Sequence, residues 1–265
     1  MKGARLLNPL FRVKNLSAAY SDRTILQNIN LQIHEQEICG LLGLNGSGKS
    51  TLLLAMCGFI PMQGECFVKE SCCTHWNERK RAQHISFIPQ ICALESGKSA
   101  LEVVLMGYNA VLNLFEMPSA QQKEQAFHVL EKLGCANLAE QDFAELSQGQ
   151  RQMIILARCL VQNTPVMLMD EPDSALDYLN KHIILEKIKT IVQTERKAGL
   201  ITMHDPNFAM AYCDRIFLLK DGGIVDEIDM RTDSQQAICH KLQKIYGEIV
   251  LLPNGNSYLM GKKRD

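Results

Sequence analysis

The chain has 265 residues, a mass of 29.8 kDa, a formal net charge of -1 and a pI near 6.7, so it carries no cationic excess for wholesale nucleic-acid binding. Its length allows a large core, built as one domain with a subdomain or as two domains. Ten cysteines lie at irregular positions without C-x-x-C spacing and no signal peptide leads the chain, so free thiols in a soluble cytosolic protein are expected rather than disulfides, zinc or an iron-sulfur cluster. No apolar run approaches the ~20 residues needed to cross a bilayer.

Residues 11–33 carry period-two patterns, clearest where Ile29, Leu31 and Ile33 alternate with Asn30 and Gln32. They predict an antiparallel β lead-in with one wet face. On pattern alone, Tyr20 is a strand-end aromatic. Ile38 to Leu42 is then a short apolar run suited to a buried strand, and residues 43–51, Gly-Leu-Asn-Gly-Ser-Gly-Lys-Ser-Thr, fit the phosphate-loop pattern G-x-x-x-x-G-K-[ST]. Gly43, Gly46 and Gly48 open backbone conformations that let successive N–H groups, with Asn45 and Ser47 between them, turn onto an anion at a helix N-terminus. Lys49 adds a point charge, Ser50 a hydroxyl for Mg²⁺ and Thr51 one for a more distal phosphate. The following helix, Lys49 to Cys57, stops at Gly58.

Cys66 to Val68 predicts a brief strand, and Arg79, Lys80 and Arg81 a solvated helix face. Ile85 to Ile88 predicts a buried strand closed by Pro89, which leaves Gln90 at a strand end, where α/β sites assemble. From 98 to 160 the pattern becomes helical, with Ala126, Val129, Leu130 and Leu133 before Gly134, and Met153, Leu156, Ala157 and Leu160, at helical spacing. Between those helices, Ser147 and Gly149 open a helix and taken alone form only an N-cap. Val166 to Met169 predicts an apolar strand ending in Asp170 and Glu171. Beside a phosphate loop, Asp170 has a role holding Mg²⁺ and Glu171 one in polarising water. Asp177 stands in the turn before a helix expected from Asn180 to Lys197. Leu200 to Met203 is another apolar strand, with His204 at the same sheet edge as Gln90 and Asp170. Lys220 to Gly223 predicts a hairpin turn, and the tail one polar helix and a strand pair.

Taken as a set, these motifs resemble the ATP-binding subunits of ABC transporters from about Phe11 to Glu227. Residues 43–51 look like the Walker A loop, Gln90 the Q-loop, Ser147 with Gly149 the signature motif, Asp170 and Glu171 the Walker B aspartate and catalytic base, Asp177 the D-loop and His204 the switch histidine. The resemblance reverses the reading of Tyr20, which occupies the family's adenine-stacking position. It implies an α/β P-loop NTPase core of RecA type (about 11–97 and 161–230), with an antiparallel β subdomain, an inserted helical subdomain (about 98–160) and a C-terminal extension (about 231–265), together one ABC ATPase domain. It also implies ATP with Mg²⁺ held through Ser50, Gln90 and Asp170, and catalysis by Glu171, His204, Gln90 and Lys49.

Within the family, the stretches Leu101–Tyr108 and Asp170–Asn180 look most like subunits that energise import of iron-siderophore, haem or cobalamin, and some molybdate importers share them. The implied assembly is a head-to-tail homodimer on the cytoplasmic face of the cell membrane. Its partners are integral membrane permease subunits and, indirectly, a periplasmic or lipid-anchored substrate-binding protein, with no nucleic acid. The competing class is a soluble ABC ATPase of iron-sulfur cluster assembly. Two residues depart from the family pattern, Gln148 where glycine is usual and Asp173 where threonine is usual, and both bear on rate more than on mechanism. Glycine reaches conformations that glutamine takes only with strain, and the Gln148 amide either crowds a partner's nucleotide, donates a hydrogen bond to it or points to solvent without effect. The segment from Ile91 to Leu105, next to Gln90, is expected to form the permease-docking groove.

Overall fold

Alternation of apolar and polar side chains sets the first two strands. In the computed structural model, which describes residues 9–20, 23–90, 97–113, 115–174, 176–255 and 257–263, β1 (Phe11–Tyr20) and β2 (Arg23–Ile33) pair antiparallel from Phe11↔Ile33 to Tyr20↔Arg23. The buried set on β1 changes phase between Val13 and Leu16, because Asn15 takes φ 50° in a bulge. Side chains satisfy the displaced amides: Asn15 N–H donates to Asn30 Oδ1, and Asn28 N–H to Ser17 Oγ. β3 (Glu37–Leu42) is buried along its whole length, as a parallel strand covered on both faces must be. α1 (Lys49–Met56) ends at Cys57, with Gly58 at φ 72° in the left-handed C′ position. β4 (Gln63–Val68) joins β1 and β5 (Ser71–Cys72), giving a sheet ordered β2-β1-β4-β5.

These elements belong to one of two compact units, Met1–His75 with Lys189–Asp265. The other, Trp76–Ile188, starts with α2 (Glu78–Ala82) and β6 (Ile85–Ile88). The basic cluster on α2 is more than a solvated face. Arg79 donates to the carbonyls of Ala110, Val111 and Leu112, and Gln83 to that of Ala110, so the helix gathers carbonyls that a helical end leaves unpaired. α3 (Ala100–Leu105) opens on a Ser99–Glu102 capping box and tightens into a 3₁₀ turn, Met106–Ala110. α4 (Ala120–Leu133) is capped by Ser119 and stopped by Gly134, and α5 (Gln148–Gln162) packs against α3 and α4. β7 (Val166–Asp170) lies parallel to β6, with Ile85↔Val166 through Ile88↔Met169 in register.

α6 (Tyr178–Thr194) begins in the second unit and ends in the first. It stops short of the expected Lys197, where Arg196 takes φ 55° and Lys197 N–H closes back on the Val192 carbonyl. β8 (Ala198–Met203) then runs parallel to β3 from Glu37↔Ala198 to Leu42↔Met203, and α7 (Pro206–Tyr212) leads to β9 (Arg215–Lys220), parallel on the other side of β3. A two-residue turn, Asp221 and Gly222 both at positive φ, returns the chain as β10 (Gly223–Asp229), the geometry of a type I′ hairpin. The strands of this unit thus run β10-β9-β3-β8. The tail forms α8 (Gln235–Tyr246) and a hairpin of β11 (Ile249–Asn254) and β12 (Ser257–Lys262), which rests on α7.

Candidate nucleotide-binding and catalytic residues

In the first unit, the phosphate loop leaves the end of β3 and closes on itself. Ser47 N–H donates to the Leu44 carbonyl at 3.1 Å, and Lys49 Nζ donates to the Gly43 carbonyl at 2.9 Å. Lys49 is only 5 % exposed, so its ammonium lies within the loop rather than in solvent. Gly43 is required by space: a Cβ there would stand 2.5 Å from both the Leu219 carbonyl oxygen and Ser47 Oγ. Gly46 and Gly48 are required by conformation, at φ 78° and 104°. Gly48 is also the N-cap of α1, with no side chain over the helix start, which leaves the first amides of the helix open to an anion. Ser47 Oγ is buried and makes no hydrogen bond among the described residues. Asn45 is exposed, and Ser50 and Thr51 are half-buried in the first turn of α1.

His204 follows Met203 directly, and the Leu42↔Met203 register sets it beside the start of the phosphate loop. It is exposed, while Asp205 after it caps α7 by accepting from Asn207 N–H at 2.8 Å. Tyr20, at the end of β1, is 47 % exposed, enough to offer a ring face.

The second unit brings a different set together. β7 delivers Asp170 and Glu171 at its end, 6 % and 5 % exposed, and Glu171 takes φ 46°, a left-handed conformation that a non-glycine residue adopts at a cost and often at working sites. The parallel register of β6 on β7 carries Gln90 alongside: its Nε2 donates to Glu171 Oε2 at 2.7 Å. That bond fixes the carboxylate and leaves the Gln90 carbonyl oxygen available as a ligand.

Ser147 and Asp177 both cap helices. Ser147 Oγ accepts from Gln150 N–H at 3.4 Å while Gln150 Oε1 accepts from Ser147 N–H at 2.9 Å, a capping box for α5. Asp177 accepts from the backbone and side-chain N–H groups of Asn180, each at 2.9 Å, at the start of α6. A Cβ on Gly149 would meet only Leu176 and Asn180, at 3.6 and 3.9 Å, so this glycine is not demanded by crowding within the chain.

The two departures have different surroundings. Gln148 is the first residue of α5 and is absent from the positive-φ positions, so the expected backbone strain is not there; its side chain is exposed. Asp173 is buried and pairs with Lys181 Nζ at 3.8 Å, a partner that lay hidden because nothing in the sequence marks Lys181. Of the expected docking segment, residues 91–96 lie outside the described residues. No disulfide forms among the nine described cysteines, and burial pushes the Cys39 and Cys135 thiols up, which keeps them protonated and unreactive. Among the described residues no group of three or more His, Cys, Asp or Glu is placed to hold a metal, and no helix is long and apolar enough to cross a membrane.

A family model described as ABC transporter matches residues 26–174. A "Probable iron chelatin transport ATP-binding protein" of Helicobacter pylori is 38 % identical over 216 residues, covering 80 % of this chain and 84 % of that one. The molybdate import ATP-binding protein MolC of Haemophilus influenzae is 33 % identical, covering 80 % of each chain. The hemin import ATP-binding protein HmuV of Vibrio parahaemolyticus is 31 % identical, covering 88 % of this chain and 89 % of its own. Among solved structures, a metal-chelate type ABC transporter in an inward-facing conformation superposes at TM-score 0.80, with 28 % identity and 96 % of both chains covered. A dimeric bacterial ABC transporter cassette superposes at 0.74, with 28 % identity over 84 % of this chain and all of that one. Phosphate loop, strand-end acids and the capped helix α5 therefore sit on a fold shared along nearly the full chain, and the protein belongs to the ABC transporter family as an ATP-hydrolysing cassette.

Proposed function

We propose that this cassette energises an importer of a metal chelate or related anion, in the class of iron-siderophore, haem, cobalamin or molybdate. The observation that carries the reading is the company the chain keeps: relatives named for iron chelatin, molybdate and hemin transport, and a metal-chelate type transporter matched over 96 % of both chains. In this reading the cassette works as a head-to-tail homodimer, peripheral on the cytoplasmic face of the membrane, against integral permease subunits that receive substrate from a binding protein. The whole chain, 1–265, acts as one ABC ATPase domain.

Each residue then has a chemical role. The open amides at the start of α1, with Lys49, neutralise the phosphates, while Asn45, Ser47 and Thr51 complete the loop around them. Tyr20 stacks on the base, and Ser147 and Gly149 of one copy, with Asp177, complete the partner's site. Ser50, Asp170 and Gln90 offer hydroxyl, carboxylate and amide oxygens, the hard donors that suit Mg²⁺ better than any nitrogen or sulfur set. Magnesium, when bound, supplies charge neutralisation on the departing phosphates. Glu171 orients the attacking water and takes its proton, and the bond from Gln90 keeps the carboxylate aimed. His204 contacts the γ-phosphate at the sheet edge beside the loop.

The test is fractionation and affinity purification of the tagged chain from its own cells. Recovery with membranes, in a complex with a many-helix permease, is expected. Quantitative recovery in the soluble fraction, together with iron-sulfur assembly proteins, would replace the import reading with the competing one.

A further inference from the structure

The turn that carries His204 is built against the C-terminal extension. Asn207, whose N–H is held by the Asp205 carboxylate, accepts at its own Oδ1 from Met260 N–H of β12 at 2.6 Å. A second anchor joins α8 to β9, where Lys220 Nζ donates to the Lys244 carbonyl at 3.0 Å, and the carbonyl of Leu219 just before it is one that a Cβ on Gly43 of the phosphate loop would meet. Between these anchors in the chain lies Tyr246, the last residue of α8. Its ring is partly exposed, but its hydroxyl is withdrawn from solvent and makes no hydrogen bond among the described residues. Burial pushes its pKa up to about 12, and the Asp205 carboxylate adds to the shift, so the hydroxyl remains a donor at any physiological pH. A buried donor without a partner is destabilising and uncommon enough to need a reason.

We propose that the C-terminal extension positions the His204 turn, and that the Tyr246 hydroxyl is the positioning group, engaging the Asp205 side of that turn while ATP is being turned over. The inference rests on the reading of His204 as the γ-phosphate contact. It accounts for α8 and the β11–β12 hairpin as the back wall of a turn whose front faces the phosphates. Tyr246 acts through His204 and touches no reacting atom.

The experiment compares full-length chains at saturating Mg-ATP. Tyr246→Phe keeps the ring and removes only the hydroxyl, so it is expected to fold with an unchanged or raised thermal midpoint. Its kcat should fall roughly 3- to 10-fold, the scale of one neutral hydrogen bond, with KM for ATP unchanged. Made in a His204→Ala background and followed by radiolabelled phosphate release, the same substitution should produce no further fall. Asn207→Leu, which removes the anchor of β12, should lower kcat in the same way, and Asn207→Asp, which keeps the accepting oxygen, should restore it. Parental kcat in Tyr246→Phe beside a crippled His204→Ala overturns the proposal alone, as does an equal fall in both backgrounds. Parental kcat in His204→Ala overturns the role of His204 and the proposal with it.

Discussion

Replacing Glu171 by Gln separates the bond this side chain makes in the fold from the base role proposed for it. In structure, Glu171 is 5 % exposed and its carboxylate accepts from Gln90 Nε2 at 2.7 Å, and a glutamine amide oxygen can take the same bond after a flip of its terminal group. The exchange turns a charge-assisted hydrogen bond into a neutral one, a loss of about 1 kcal/mol in stability, or a few degrees in Tm for a chain of this size. The left-handed backbone at φ 46° is no harder for Gln than for Glu, so it adds nothing. In the proposed mechanism the chemistry loses far more, because the variant has no base for the attacking water: a loss of ~10²-fold or more is expected, equivalent to at least ~2.7 kcal/mol on the barrier. The expected variant is folded, binds ATP, releases phosphate at no more than about a hundredth of the parental rate, and elutes with retained ATP as a dimer. Phosphate release at the parental rate would refute the assignment, and a collapse of Tm by more than about 10 °C would show that Glu171 serves the fold first.

Asp170→Asn should raise the Mg²⁺ concentration for half-maximal turnover by about tenfold or more, roughly 1.4 kcal/mol, and an unchanged magnesium titration would remove Asp170 from the metal. Mixing Lys49→Ala chains with Ser147→Arg chains places both lesions in one composite site of a head-to-tail dimer, so turnover should appear in the mixture that neither variant shows alone; no recovery at any ratio counts against the trans arrangement. Gln148→Glu adds an acid to the first turn of α5, which has none. It should stabilise that helix by about 0.3–1 kcal/mol yet slow turnover by repelling the partner's γ-phosphate, and a rate equal to the parent's would show that no anion meets this helix end. At Gly107 a Cβ would stand 2.3 Å from the Arg158 carbonyl and 2.4 Å from Val161 Cγ2, so Gly107→Ala should cost about 1–3 kcal/mol through overpacking, read as a lowered Tm; an unshifted Tm would show that the approach of the 3₁₀ turn to α5 relaxes freely.

What could be read in the sequence was whatever is encoded locally. Glycines at 43, 46 and 48 before Lys49, an apolar run ending in Asp170 and Glu171, and the period-two pattern at Ile29, Leu31 and Ile33 each carry their structure within a few residues, and β3, β7 and β2 lie where those patterns put them. The Gln90–Glu171 bond was only half legible: both residues could be placed at strand ends, but their meeting depends on the parallel register of β6 on β7, and pairing between residues so far apart in sequence leaves no local mark. Arg79 was legible only as the exposed residue it is; its partners are carbonyls at 110–112, and a carbonyl is present at every position. Ends of elements were the least legible. α6 stops before Lys197 because the chain turns at Arg196 with φ 55°, a conformation that arginine does not advertise.

Ser147 shows how one residue can satisfy both readings of the signature segment. As an N-cap its oxygen is an acceptor, taking the Gln150 N–H at 3.4 Å, and the reciprocal bond from Ser147 N–H to Gln150 Oε1 closes the box. A hydroxyl has one proton to give besides its lone pairs, and capping consumes none of that donor capacity. The same serine can therefore order the first turn of α5 within its own chain and still present an O–H outward, at a helix end whose dipole already favours a negative charge. Gln148 and Gly149 follow in the first turn, the first exposed and unstrained, the second clear of close contacts, so nothing in the chain's own packing dictates either one. Residues that the fold leaves undetermined at a helix N-terminus are answerable to whatever approaches it from outside, and in the head-to-tail dimer proposed above that would be the partner's nucleotide.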